Sequence, residues 1–197
     1  MRKLFFGFIM LVLSHVSFGQ AVNDQAVIPV SVTLNSILRL TVVSGGNIDF
    51  IVNTITQYTS GINSLGTDAR YHSNFTVSSS EDFNVSLRAE DLTFLGQDNA
   101  THTMPLDNVG FDLTESGTGA DPANFALPAA VLAVTSGAVN IVTGVAGASA
   151  GGALKNNFTI RWRLGTAQGG MNASSLLAQS LSADRYITNV FLELVPF

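Results

Sequence analysis

An all-β, antiparallel β-sandwich of roughly nine or ten strands is the fold class this sequence predicts. Three observations lead there. Apolar and polar residues alternate with period two in several separate runs, the signature of strands buried on one face. Clusters of glycine, asparagine and serine punctuate those runs, as tight turns require. Helical periodicity is almost absent, so at most one short helix is expected, near 173–181, where Leu176, Leu177 and Leu181 follow Asn172.

Residues 1–19 read as a secretory signal peptide. Arg2 and Lys3 precede an apolar run over 4–13, and the more polar end carries small residues at Ser17 and Gly19, the layout of an export signal. The run is too short to span a bilayer. Cleavage after Gly19 leaves residues 20–197, expected to form a single β-sandwich domain with an extended N-terminal ribbon over 23–43. Within that ribbon lies "IPVSVTLNSILRLTV", residues 28–42. Ile28, Val30, Val32, Leu34, Ser36, Leu38, Leu40 and Val42 share one face. Pro29, Ser31, Thr33, Asn35, Ile37, Arg39 and Thr41 share the other. The ribbon exceeds the roughly five or six residues of an ordinary strand, so a bend is expected near Asn35 and Ser36.

The following strands each show an apolar face. Tyr71, Ser73, Phe75 and Val77 form the first, and Phe83, Val85, Leu87 and Ala89 the second. Val109, Phe111 and Leu113 make a shorter set, and Phe158, Ile160, Trp162 and Leu164 a longer one. That company places Trp162 in the core and turns Arg161 and Arg163 outward, where they can meet acids of the 81–121 segment. One last strand is expected over 186–195, with Tyr186, Thr188, Val190, Leu192 and Leu194 on its inner face. Residues 122–154 differ: they hold no charge and are rich in Ala, Val and Gly. Two weak strands fit there, over 129–135 and 138–143, either as edge or inner strands with a glycine loop or as a subunit contact.

Charge and composition exclude several functions. Without Arg2 and Lys3, seven basic residues face fourteen acidic ones, a net charge of −7. No clustered basic patch exists for nucleic acid or an anionic membrane surface. No later apolar run is long enough for membrane insertion after signal removal. The chain has no cysteine, which removes disulfides, thiolate metal sites and a cysteine nucleophile.

Catalytic signatures are missing as well. No nucleophile elbow, P-loop or HExxH spacing occurs, and the neighbouring carboxylates Glu81-Asp82 and Glu90-Asp91 point to opposite faces of a strand. The chain is therefore expected not to be an enzyme and to carry no cofactor. His72 falls on the polar face of a strand and His102 in a Thr-His-Thr loop, both read as solvated. Nine of the fourteen acids lie between Glu81 and Asp121. They read as a solvated acidic face, or as a source of oxygen ligands for calcium, with Gly96, Asp98 and Asn99 the densest candidate.

The ribbon admits two readings. It is the first strand of its own sandwich, or its N-terminal part crosses into the next copy, with Ile28, Val30, Val32 and Leu34 as self-assembly anchors. The export signal, "AVIPVSVTLNSILRLTV" and the closing "RYITNVFLELVPF" together resemble secreted Gram-negative pilin-like β-sandwich surface proteins. The chain differs from those pilins in lacking a cysteine pair and in carrying Pro196 at the penultimate position. The resemblance implies strand exchange through an alternating N-terminal extension. The expected role is thus a structural subunit of an extracellular fibre, sheath or surface layer, with further copies of itself as partner. The alternative is a secreted adhesin that binds a surface glycan.

Overall fold

Sheet pairing in the N-terminal ribbon begins at Leu38, well after the alternation itself begins at Ile28. The computed structural model describes residues 26–63 and 69–197; the expected signal peptide at 1–19, its cleavage point and ribbon residues 23–25 lie outside the described residues. The chain divides after Leu34 into two units. Of the first, residues 26–34 carry no strand, and Val27, Ile28, Val30, Val32 and Leu34 are 76–90% exposed. The expectation of a continuous strand over 28–43 is corrected accordingly.

The second unit, Asn35–Phe197, is mostly β. In chain order its strands are β1 (Leu38–Ser44), β2 (Ile62–Asn63), β3 (His72–Ser79), β4 (Phe83–Ala89), β5 (Thr93–Gly96) and β6 (Thr103–Pro105). There follow β7 (Val109–Glu115), β8 (Phe125–Ala126), β9 (Leu132–Ala133), β10 (Val139–Gly144), β11 (Gly151–Leu164), β12 (Tyr186–Ile187) and β13 (Val190–Pro196). The thirteen segments among the described residues exceed the nine or ten expected because β2, β8, β9 and β12 are two residues long, too short for alternation to reveal.

Two antiparallel sheets enclose the core. One runs β1-β3-β11-β7-β9, with β2 also paired to β11; the other runs β13-β4-β10-β8. A small third sheet joins β12, β5 and β6. The inner faces are those the alternation selects. Phe75 and Val77 of β3, Phe83 and Val85 of β4, and Phe158 and Ile160 of β11 are at most 1% exposed. Phe158 stacks on Phe75 and meets Phe125 edge-on, both at 5.2 Å between centroids. These offset and edge-on arrangements suit the quadrupoles of aromatic rings. Trp162 is buried against Phe111, and its indole N–H donates to Ser73 Oγ at 2.9 Å. That bond explains a serine on an otherwise apolar face, since a buried indole N–H needs an acceptor.

Three local expectations need correction. The α-helix, α1 (Ile55–Ser60), lies far from 173–181, where the structure has a 3-10 turn at Leu176–Gln179. Thr54 and Gln57 form a capping box that starts α1, satisfying orphan N–H groups of its first turn. The expected strand over 186–195 splits into β12 and β13, in different sheets. Between them Thr188 Oγ1 donates to Asp91 and Asn189 Nδ2 to Glu90, so side chains hold the crossover in place. Arg163, expected to face solvent, is 3% exposed and paired with Asp112, which also binds Arg161. Residues 122–154 form β8, β9, β10 and the start of β11, with Phe125, Val134, Ile141 and Val142 in the core. Among the described residues, no helix is long and apolar enough to cross a membrane.

Candidate functional site

The two main sheets each end in a seven-residue strand with a free outer edge. Among the described residues β1 pairs only with β3, and β13 only with β4. Both edges flank one cavity of about 920 Å³. Leu40 and Val42 line it from β1, Val190 and Leu192 from β13, and Leu87, Ile160 and Trp162 from the strands behind. The inner faces of the two edge strands are incompletely covered: on β1 Leu38 is 42% exposed and Val42 47%, whereas their partners on β3 are buried, and on β13 Val190, Leu192 and Leu194 are half-buried. An apolar trough flanked by unpaired backbone N–H and C=O groups can receive one more extended strand.

The segment from Gly45 to Asn53 lies along this opening. Ile48, Phe50 and Val52 turn inward and pack on the core, while Asn47, Asp49, Ile51 and Asn53 are exposed. That is strand-like alternation, yet among the described residues no backbone–backbone hydrogen bond joins residues 46–53 to either sheet. Its attachments are side chains. Phe50 stacks on Tyr71 at 4.6 Å, and Asp49 meets Arg185 at 3.8 Å across two well-exposed side chains. Gly45, at φ +66°, turns the chain out of β1; a Cβ there would overlap the carbonyl of His72. This positive φ disfavours any other residue.

The four anchors expected from sequence, Ile28, Val30, Val32 and Leu34, belong to the first unit and present exposed side chains. Alternation at 28–34 signalled them. The groove itself had no sequence signal, because β1 and β13 read like any half-buried strand.

The other sequence candidates take structural parts. Asp184 is the hub of the loop that contained the calcium candidate: its fully enclosed carboxylate accepts the backbone N–H groups of Asp98 at 2.9 Å and Asn99 at 3.1 Å. It also pairs with His102 Nδ1 at 2.9 Å. Those bonds, the Asp98 N–H first, hold the Asp184 carboxyl down at about 2. His102, read as solvated, is therefore an anchored side chain, 29% exposed. Asn99 Oδ1 is used by Thr101. His72 lies on the outer face of β3, opposite Arg161 of β11.

Most acids of 81–121 have side-chain partners. Asp82 clamps the loop between β10 and β11, accepting the N–H groups of Gly147, Ser149 and Ala150 and the Ser149 hydroxyl. Its carboxyl is lowered to about 2, chiefly by the Gly147 N–H. Glu81 accepts from Ser36 and Asp107 from Asn172. Burial pushes the Glu115 carboxyl up to about 7 although it accepts the Asp121 backbone N–H, and its Oε1 has no hydrogen-bond partner. Among the described residues no group of three His, Cys, Asp or Glu side chains is placed to hold a metal ion.

The cavity wall is largely apolar and is bordered by the edges of β1 and β13. No protein-family model matches this chain, and no curated protein matches it in sequence.

Proposed function

We propose that this protein is a secreted structural subunit of an extracellular fibre, sheath or surface layer. Copies join when residues 28–34 of one enter the groove between β1 and β13 of the next. The observation that carries this reading is the coincidence of the two features in one chain: an open apolar trough between two strand edges, and an exposed extension with Ile28, Val30, Val32 and Leu34 on one face. Isolated apolar side chains are common on protein surfaces, but four exposed at this spacing form a face that calls for a cover.

The donor brings backbone as well as side chains. Pairing along a free edge satisfies N–H and C=O groups, and alternate side chains fill the trough. Pro29 fits this scheme because it lies on the face opposite the anchors, where its missing N–H is tolerable on one side of an added strand. Each copy has one donor and one acceptor, so the contact is head-to-tail and propagates as an open filament.

The test is electron microscopy and light scattering on the mature protein, residues 20–197, beside a variant with Ile28, Val30, Val32 and Leu34 all changed to serine. Regular polymers from the parent and folded monomers from the variant support the reading. Monomers from both, with calcium-dependent binding on a glycan array, would replace it with the adhesin reading.

A further inference from the structure

We infer that residues 47–53 are an internal strap that forms one wall of the groove in the unassembled subunit and must lift before a donor strand can enter. This rests on the strand-exchange reading and adds the regulation of that site. The sequence of inward residues, Ile48-x-Phe50-x-Val52, has the same spacing as Ile28-x-Val30-x-Val32 in the extension. Both sets are extended apolar faces of like size, and the strap's inward side chains line the same cavity as Leu40 and Leu192. The strap thus covers apolar surface that an incoming strand would cover.

What it does not do is complete either sheet. Residues 46–53 make no backbone ladder with β1 or β13 among the described residues. An inserted donor gains what the strap forgoes, a row of hydrogen bonds along an edge, so exchange runs toward the donor. The strap is held mainly by the packing of Ile48, Phe50 and Val52 on the core, and its other restraints are few. An exposed ion pair such as Asp49–Arg185 contributes little in water, and the Phe50–Tyr71 stack is a single aromatic contact. The strap's two ends are anchored, by Gly45 at its φ of +66° and by the capping box at Thr54. Such a strap keeps the groove from binding a donor, or another exposed strand, before subunits reach their place of assembly.

Trp162 is the only tryptophan and lines the groove, which makes its fluorescence a direct reporter. The experiment mixes the dilute mature protein with a synthetic peptide of residues 26–36, which contains no aromatic residue, in a stopped-flow fluorimeter. Three proteins are compared: the parent, Asp49→Ser and Phe50→Ala. With a strap, the observed rate saturates as peptide rises, because opening becomes limiting. Asp49→Ser raises that plateau severalfold and Phe50→Ala by about tenfold or more. A rate that rises linearly without a plateau, and is the same in parent and Asp49→Ser, overturns the strap while leaving strand exchange intact. Failure of the peptide to bind any of the three overturns both. Should Phe50→Ala not fold, the Asp49→Ser comparison and the shape of the concentration dependence still decide.

Discussion

Replacing Val30 by alanine separates assembly from folding. Val30 is 83% exposed, so the substitution removes two methyl groups that the isolated chain leaves in water. Exposed substitutions away from special features change stability by no more than about 0.5 kcal/mol. On the proposed strand exchange the same methyl groups lie in the groove of the next copy. At about 0.8 kcal/mol for each carbon removed from water, their loss costs about 1.6 kcal/mol, or roughly fifteenfold in affinity. Since each added subunit makes one such contact, the critical concentration for polymer growth rises by about the same factor. Leu34→Ala removes three carbons and raises it roughly fiftyfold. Thr33→Ala, on the opposite face, is the control and shifts it little. Sedimentation of polymer at graded protein concentrations gives the critical value, and thermal melting of the unassembled chain gives stability. A Val30→Ala protein that melts much earlier, with unchanged critical concentration, would refute the reasoning and make residue 30 an ordinary core position.

Other expectations concern the body that holds the groove open. Asp112→Ala strips the carboxylate from the buried Arg163 and should cost about 3–5 kcal/mol in urea unfolding, the penalty of an uncompensated buried charge. Asp82 and Asp184 both titrate near 2 in the folded chain, below their ordinary 3.8. The unfolded chain binds more protons between those values, so their stabilisation is complete above about pH 4 and is lost as pH falls toward 2; an acid-unfolding curve measures it. Glu115 has the opposite sign. Its folded value of about 7 exceeds 4.5, so the folded state loses stability as pH rises through that window. Glu115→Gln should therefore stabilise the chain at pH 8 by about 1 kcal/mol, after discounting for partial exposure, and hardly at pH 4.5. Gly45→Ala forces a side chain into a left-handed turn against the His72 carbonyl, and a loss of about 1–3 kcal/mol is expected on melting.

The strand faces were legible because alternation reports burial directly. Phe75, Phe83, Phe111 and Phe158 sit in the core for the reason their spacing suggests. Alternation does not report what covers a face. Residues 28–34 and 38–44 look alike in sequence, yet the first set is exposed and the second forms β1. The strap was obscured by Gly45, Gly46 and Asn47, which read as a turn between strands, and a run of only three inward residues follows them. Thr54 and Gln57 carried the capping-box pattern of α1, but an apolar run long enough to suggest a helix does not follow. The part played by Asp184 could not be seen, because its partners Asp98, Asn99 and His102 are more than eighty residues away along the chain. Arg161 and Arg163 both meet Asp112, one of the acids of the 81–121 segment that the alternation put within their reach. Burial of Arg163 followed from tertiary packing that strand periodicity does not encode.

The central claim is that a neighbouring copy's extension fills the groove, and a chain without cysteine permits a direct measurement. One protein carries Leu192→Cys in the groove wall. A second carries a single cysteine placed in turn at each position from 28 to 34. After mixing and mild oxidation, disulfide-linked pairs are quantified on a non-reducing gel; a disulfide forms only where Cα atoms approach within about 7 Å. The account predicts an alternating pattern, with cross-linking from one or more of positions 28, 30, 32 and 34 and none from 29, 31 and 33. Polymers that form while no position cross-links, or cross-links without alternation, would contradict it.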